Sequence, residues 1–284
     1  GYQYRVREEN GQQVLALENH VVMPWQGKRK HRLFQGEAPS SFHYEPVATA
    51  VLDYLLDTQT VTQFMDLGAA NGYFALIAAG RTDKEVEAFA FDMQPYAFEA
   101  MQKQAASLAI DRLHPHLSGM SDKYEGEQKI WYSVTKMFQS EPDPSEYRDN
   151  VFKRFKFWLK GRSGRDELKT AMVTIDSIDH CCASKSISPE VIKIDVDGYE
   201  QKVIAGGLET FRKNRPFIML EIHKMTLLGR FVSSRREVVK PLYDLGYRCL
   251  FFDNHHFLDR ANPILVDLDH PLWDRERTDF VLFF

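Results

Sequence analysis

At 284 residues, with 44% hydrophobic and 27% charged side chains, the chain has the composition of an ordinary globular protein, with material for one large decorated domain or for two. A net charge of −4 gives no global attraction to nucleic acid or membrane, so any such contact has to be local. Three cysteines, Cys181, Cys182 and Cys249, are odd in number and include an adjacent pair, which argues against a disulfide framework and for free thiols in a reducing cytosol.

The start, Gly1-Tyr2-Gln3-Tyr4-Arg5, lacks a basic stretch followed by an apolar one, so no signal peptide is expected. No apolar run approaches the ~20 residues of a membrane helix, and the chain reads as a cytoplasmic protein. Residues 1–20 predict a hairpin: Tyr4–Arg7 and Gln13–Leu17 flank Asn10-Gly11, a strong turn signal. Residues 1–42 are read as an extension carrying that hairpin, and 43–284 as the main domain. Gly27-Lys28-Arg29-Lys30-His31-Arg32 reads as a solvated basic loop. His43-Tyr44-Glu45 then leads through Pro46, at home in a first helical turn, into an amphipathic helix with Val47, Val51, Tyr54 and Leu55 at helical spacing.

Val61 to Leu67 is a short apolar run that predicts a buried strand. It ends in Gly68-Ala69-Ala70-Asn71-Gly72 and gives way to the apolar helix Tyr73–Ala79. Strand, glycine turn and helix start form the first unit of a nucleotide-binding α/β domain. Val86–Asp92 predicts a second strand, Pro95–Ala109 a helix, and Leu113–Gly119 a weaker third strand that Pro115 confines to an edge. Strands alternating with helices imply a parallel, doubly wound sheet.

The alternation pauses between the strands predicted at Lys129–Val134 and Ala171–Asp176. The intervening polar insertion, 136–169, holds a helix-compatible stretch from Val151 to Lys160. Between 151 and 165 lie Lys153, Arg154, Lys156, Lys160, Arg162 and Arg165 with no acid. That segment reads equally as a solvated helix and as a lid or docking helix for an anionic or membrane-associated acceptor. The pattern resumes with a strand ending at Asp195, a helix over Tyr199–Arg212, a fifth strand over Pro216–His223, a helix around Arg235–Leu245 and a last strand over Asp279–Phe284. His255-His256 reads as a hairpin tip.

Ligands of open α/β sheets bind beyond the carboxyl ends of the strands, where strand order reverses. Asp66, Asp92, Asp195 with Asp197, and Glu221 with His223 each end an apolar strand. A dinucleotide needs G-x-G-x-x-G to approach its pyrophosphate; here Gly68 and Gly72 are separated by Ala69, Ala70 and Asn71, so that fingerprint is broken, and no P-loop is present. S-adenosylmethionine has no phosphate but carries an ammonium and a sulfonium. Asp66 can offset that charge, and Asp92 can accept the ribose hydroxyls.

Asp66-Leu67-Gly68-Ala69-Ala70-Asn71-Gly72-Tyr73-Phe74 resembles the D-x-G-A-x-x-G-Y-F segment of FkbM-type methyltransferases. Ile192-Lys193-Ile194-Asp195-Val196-Asp197-Gly198-Tyr199-Glu200 is similar to that family's I-K-I-D-V-[ED]-G-x-E signature, Thr174–Ile178 to its T-L-D-x-[LI] strand, and Leu220–His223 to its E-x-H segment. The resemblance runs from about His43 to Phe284, with Asp92 where the family usually has Glu and with a longer insertion. It implies a class I methyltransferase fold, a mostly parallel seven-stranded sheet with an antiparallel last strand, and O-methylation of a sugar, glycan or polyketide-like hydroxyl. The cofactor set is then Glu45, Asp66, Gly68, Ala69, Asn71, Gly72, Tyr73, Asp92 with Met93, Ser121 with Asp122 at the adenine, and Asp195.

A sugar hydroxyl needs a base, and His223 titrates nearest neutral pH. Asp195 is the second candidate, with Lys193 and Glu221 facing the same way from their strands. Asp195, Glu221 and His223 also suit a divalent cation such as Mg²⁺ or Mn²⁺, a reading held below the metal-free one. Two alternatives remain. A nucleic-acid methyltransferase is disfavoured by net charge and by missing N-P-P-Y and Pro-Cys motifs; a non-catalytic S-adenosylmethionine-binding scaffold would dock a partner through 151–165.

Overall fold

The apolar run before Gly68 becomes strand β4 (Gln63–Leu67), at the middle of the main sheet. The structure, a computed structural model, describes residues 4–9, 12–17, 20–24, 45–81, 83–132, 137–138, 141–142, 168–229, 231–257 and 261–284. The basic loop 27–32, His43 and Tyr44, and the basic segment 151–165 lie outside the described residues.

Strands β1 (Tyr4–Glu9), β2 (Gln12–Leu17) and β3 (His20–Pro24) make a separate antiparallel sheet. The expected hairpin is present as β1–β2, and a third strand the alternation did not predict extends it.

Helix α1 (Pro46–Thr58) precedes β4, and helix α2 (Tyr73–Ala79) follows it. Next come β5 (Glu87–Asp92), helix α3 (Pro95–Leu108) and β6 (Leu113–Met120). Strands β7 (Gly126–Tyr132), β8 (Met137–Phe138) and β9 (Lys169–Asp176) flank the insertion. Helix α4 (Ile178–Lys185) leads to β10 (Val191–Ile194), then α5 (Glu200–Ala205), α6 (Leu208–Asn214) and β11 (Phe217–Ile222). The chain finishes with α7 (Met225–Leu228), α8 (Arg235–Asp244), β12 (Cys249–Asp253), β13 (Asn262–Val266), a 3₁₀ turn (Pro271–Asp274) and β14 (Asp279–Phe283).

The sheet order is β13-β12-β14-β11-β10-β4-β5-β6-β9-β7-β8. Its central run β6-β5-β4-β10-β11-β14-β12 is the expected seven-stranded, doubly wound core, with β14 antiparallel to both β11 and β12. Four further strands widen it: β13 at one edge, and β9, β7 and β8 at the other. The chain moves outward from β4 through β5 to β6 and later returns to lay β10 on the other side of β4. The reversal therefore falls between β4 and β10, and a ligand crevice belongs at their carboxyl ends.

Two expectations change. Strand β6 is an interior strand: it pairs with β5 from Leu113 to Leu117 and with β9 only from Ser118 to Met120. Pro115 is tolerated because, among the described residues, the β9 side has no partner at its level, so the missing N–H breaks no ladder. The single helix predicted over Tyr199–Arg212 is two, divided at Gly206-Gly207. A Cβ at Gly206 would stand 2.1 Å from the Ser121 carbonyl oxygen, so this turn presses directly on the end of β6.

Two apolar layers cover the sheet. One is built on α1 and α2 with Leu52, Leu55, Phe74 and Ile77; the other on α4 to α8 with Cys181, Ile204, Phe211, Val239 and Trp273. Burying each large side chain contributes about 1.5–3 kcal/mol. All three cysteines are free thiols inside this second layer. No helix among the described residues is long and apolar enough to cross a membrane. Asn254, at φ 56°, turns the β12–β13 hairpin whose tip holds His255 and His256, as expected.

Beside that tip, Arg275 and Arg277 donate to Asp253 Oδ1 at 2.8 and 2.6 Å, and the Arg275 and Arg277 bonds hold its carboxyl down at about 2 despite some burial. A depressed folded pKa stabilises above the unfolded value and fades as pH falls through the folded one. Asp253→Asn is therefore expected to lower the melting temperature at pH 7 and to leave it unchanged near pH 2, as read by calorimetry at both pH values.

Candidate active site

At the end of β4 the backbone must turn sharply. Gly68 and Gly72 both take φ +77°, and Ala70 takes φ 48° between them. The N–H groups of Gly68 and Ala69 both donate to the Phe91 carbonyl at 3.0 Å, tying the loop to β5. A Cβ on Gly68 would stand 1.7 Å from the Asp195 carbonyl oxygen; one on Gly72 would meet Met101 Cγ at 2.8 Å. The first glycine is thus required by backbone contact, the second by a flexible side chain. Ala69 is buried in the loop, and Asn71 is half-exposed at its tip.

Asp92 closes β5 and braces the same loop. Its Oδ2 accepts from the Ala70 N–H at 2.8 Å and its Oδ1 from the Gln94 N–H at 2.7 Å. Burial raises its pKa to about 6 against the pull of those two bonds. Each carboxylate oxygen keeps a second lone pair, so loop bracing and ribose binding are compatible. Met93, next in the chain, packs towards Gly119 of β6. At the end of β6, Asp122 Oδ1 accepts from Ser121 Oγ at 2.9 Å and from Lys202 Nζ at 3.2 Å.

The Tyr73 ring is buried and its hydroxyl is hydrogen-bonded to Thr49 Oγ1 of α1 at 3.2 Å, so the side chain fastens α1 to α2.

Asp66 and Lys193 are register partners on β4 and β10. Asp66 is fully buried, and among the described residues neither carboxylate oxygen meets a donor at full hydrogen-bond geometry. Burial pushes its pKa up to about 7, opposed by the Lys193 charge and reinforced by Asp195, although the Ala75 backbone N–H is close enough to pull it down. Lys193 is also buried; its ammonium donates to Asp195 Oδ2 at 3.0 Å and lies 4.8 Å from the centre of the Phe74 ring. Burial works against that ammonium, but Asp195, Glu45, Asp66 and Glu221 more than offset it and hold its pKa above the ordinary lysine value. Glu45, in the left-handed region at φ 41° before α1, thus contributes its charge to this group.

The third part comes from β11. His223 Nδ1 lies 2.5 Å from Glu200 Oε1, and Nε2 lies 3.3 Å from Asp197 Oδ1 and 4.0 Å from Asp195 Oδ1. Burial lowers the proton affinity of His223, but Asp197, Glu200 and Asp195 outweigh it and raise the pKa to about 10. Glu200 is fully buried and also accepts from the Gly198 N–H at 3.1 Å. It is the residue of this cluster that strand-end reasoning overlooks; its signal is the final position of I-K-I-D-V-D-G-Y-E. Asp195, Glu221 and His223 can each present one ligand atom within 4.8 Å of the others. Burial, with Asp195 and Glu45 nearby, raises the Glu221 pKa to about 8.

Asp66, the glycine loop, Asp92, Lys193, Asp195, Glu221 and His223 therefore gather at the β4/β10 crevice. The arrangement fits S-adenosylmethionine on two counts: an orphaned buried carboxylate for a cationic group, and a loop without Cβ atoms at Gly68 and Gly72.

Residues 66–249 match the family model described as Methyltransferase FkbM domain. No curated protein matches the chain. Among solved structures, a methyltransferase FkbM from Methylobacillus flagellatus is similar at TM-score 0.45 and 13% identity, over 78% of this chain and 43% of that one. The chain thus spans less than half the length of that protein. An SAM-dependent O-methyltransferase from Thermotoga maritima is similar at TM-score 0.37 and 12% identity, over 83% of this chain and 63% of that one. An rRNA methylase from Streptococcus thermophilus reaches TM-score 0.42 at 10% identity, over 82% and 92% of the two chains. Likeness this distant says nothing of substrate.

Proposed function

The chain belongs to the FkbM methyltransferase family, and from that premise we propose that it transfers the methyl group of S-adenosylmethionine to a hydroxyl oxygen of a sugar or glycan. The observation that carries the reading is the division of the crevice. Its β4 side offers one unpartnered buried carboxylate and a glycine loop, whereas its β10–β11 side offers Asp195, Glu221 and His223. The first half suits a cationic cofactor; the second suits a polyhydroxylated acceptor, whose hydroxyls are hydrogen-bond donors to carboxylates.

S-adenosylmethionine supplies an electrophilic methyl group, and the protein's task is to hold an acceptor oxygen in line with it and take up the proton. Lys193 anchors Asp195 through one oxygen, which orients the other towards the acceptor side. Asp195 is the proton acceptor in this arrangement, and Glu221, whose carboxyl burial pushes up to about 8, lies beside it. His223 is held by Glu200 at Nδ1, and its Nε2 stands 3.3 Å from Asp197 Oδ1 and 4.0 Å from Asp195 Oδ1, so its part is to position those carboxylates. The reading does not draw on the basic residues of 151–165.

Asp66→Asn separates cofactor binding from folding. A charge-assisted contact is worth about 1.5–3 kcal/mol, so affinity for S-adenosylmethionine is expected to fall roughly 10–100-fold by calorimetric titration. The ligand-free protein should respond oppositely. A carboxyl whose folded pKa is raised stabilises below its unfolded value and loses that contribution as pH rises towards about 7. At pH 8 the neutral amide therefore raises the melting temperature of the free protein. Weaker binding without that gain would point to general damage to the loop.

The reaction itself is tested with labelled S-adenosylmethionine and a panel of monosaccharides and oligosaccharides, with structured RNA as the comparison. Label on a sugar oxygen is expected. Label on RNA alone, or on no carbohydrate, defeats the proposal.

A further inference from the structure

Resting on the methyl-transfer reading above, we infer that Asp195, Glu221 and His223 form a binding site for a hard divalent cation of the Mg²⁺/Mn²⁺ class, with Glu200 as the outer partner that fixes the histidine.

The ligand set stands on geometry. The three ligand atoms lie within 4.8 Å of one another, and His223 Nε2 is 4.0 Å from Asp195 Oδ1. Two ligands each about 2.1 Å from an octahedral ion stand roughly 3 Å apart when adjacent and about 4 Å apart when opposed. A modest closure of these side chains is enough to reach that spacing. Carboxylates with one imidazole suit Mg²⁺ and Mn²⁺ better than a thiol-preferring metal. Asp195 is free to take part because Lys193 occupies Oδ2, leaving Oδ1 on the His223 side.

The second observation concerns the other nitrogen of His223; Nε2, which stands 3.3 Å from Asp197 Oδ1, would exchange that contact for the ion. A histidine that binds a metal through one nitrogen characteristically gives the other to a carboxylate, which sets the tautomer and ring angle. Glu200 does this from full burial: its Oε1 takes both His223 Nδ1 and the Gly198 N–H. Its Oε2 has no hydrogen-bond partner among the described residues. A buried carboxylate is costly to keep ionised without a compensating charge.

The charge balance points the same way. Asp195, Glu45, Asp66 and Glu221 surround Lys193, and Asp197, Glu200 and Asp195 surround His223. Six carboxylates thus face one ammonium and one imidazole, and the imidazole is neutral as a metal ligand. S-adenosylmethionine brings an ammonium, a sulfonium and a carboxylate, a net of one positive charge. A divalent ion offsets about half of what remains. With three protein ligands it also leaves positions open for hydroxyl oxygens, and two neighbouring hydroxyls of a sugar can chelate there.

The test is Mn²⁺ binding to the full chain, followed by electron paramagnetic resonance with and without S-adenosylmethionine. The expected result is saturable uptake of about one Mn²⁺ per chain. Glu221→Gln and His223→Gln should each weaken it by more than about 100-fold, and Glu200→Gln by roughly 10–100-fold. His180→Gln, which removes a separate histidine paired with Asp176, should leave it unchanged. Lack of saturable Mn²⁺ binding by the wild-type chain overturns the inference, as does binding equal in wild type, Glu221→Gln and His223→Gln. Because the wild-type measurement decides alone, a variant that misfolds does not rescue the idea. The readout is also separate from catalysis: sugar methylation by a chain that takes up no Mn²⁺ refutes the cation site only, and Mn²⁺ uptake without any methylated sugar refutes the acceptor reading only.

Discussion

Replacing Gly68 by Ala is expected to reduce S-adenosylmethionine affinity by more than about 100-fold, some 2.7 kcal/mol, whereas Gly72→Ala should cost no more than about tenfold. Both glycines have φ +77°, so both substitutions carry the same left-handed backbone penalty of roughly 1–2 kcal/mol. What differs is the obstacle. At Gly68 the new Cβ would fall 1.7 Å from the carbonyl oxygen of Asp195, a backbone atom that itself follows β10. The only relief is to part β4 from β10, which moves the loop and Asp195 together and so disturbs both halves of the crevice. At Gly72 the obstacle is Met101 Cγ at 2.8 Å, and an unbranched thioether side chain can swing aside. Titration calorimetry on the two variants, with melting temperatures to confirm folding, makes the comparison. Equal losses would mean that backbone strain alone governs the loop.

The residues at strand ends were legible because a strand's period is short and its direction local. Asp66, Asp92, Asp195 and Glu221 each follow an apolar run, and an open parallel sheet brings such ends to one crevice. The seven-stranded core was legible for the same reason. Contacts between elements far apart in sequence were not. Glu200 sits on the first turn of α5, and nothing in its own segment says that its carboxylate meets His223 from β11. The division at Gly206 depends on the approach of Ser121, a residue of another strand end. Pro115 misled because the edge rule holds per hydrogen bond rather than per strand, and β6 has a partner on its second side only from Ser118 onward. The Tyr73 hydroxyl contact was hidden for a like reason: a buried ring requires a partner for its hydroxyl, and Thr49 supplies it from another helix.

Arg235→Met is expected to be among the most destabilising single substitutions outside the crevice, costing about 3–5 kcal/mol. Arg235 is 1% exposed and Asp279 is fully buried. The guanidinium donates to Asp279 Oδ2 at 3.0 Å, to the Arg275 carbonyl at 3.0 Å and to the Ile222 carbonyl at 3.3 Å. It therefore ties α8 to the start of β14 and to the end of β11, one residue before His223. Methionine fills much of the space but leaves Asp279 with Arg277, which donates to Oδ1 at 2.9 Å, and removes the donor that Arg235 gives to two carbonyls. Adding Asp279→Leu removes the uncompensated carboxylate, and Arg277, about half-exposed, can turn to water. The double variant should thus recover a substantial part of the loss in urea or thermal unfolding, because breaking a buried pair costs more than deleting it. Additive losses would show that the pair's value lies in the carbonyl contacts of Arg235. In that case methyl transfer should suffer as well, since Arg235 holds the Ile222 carbonyl one residue before His223.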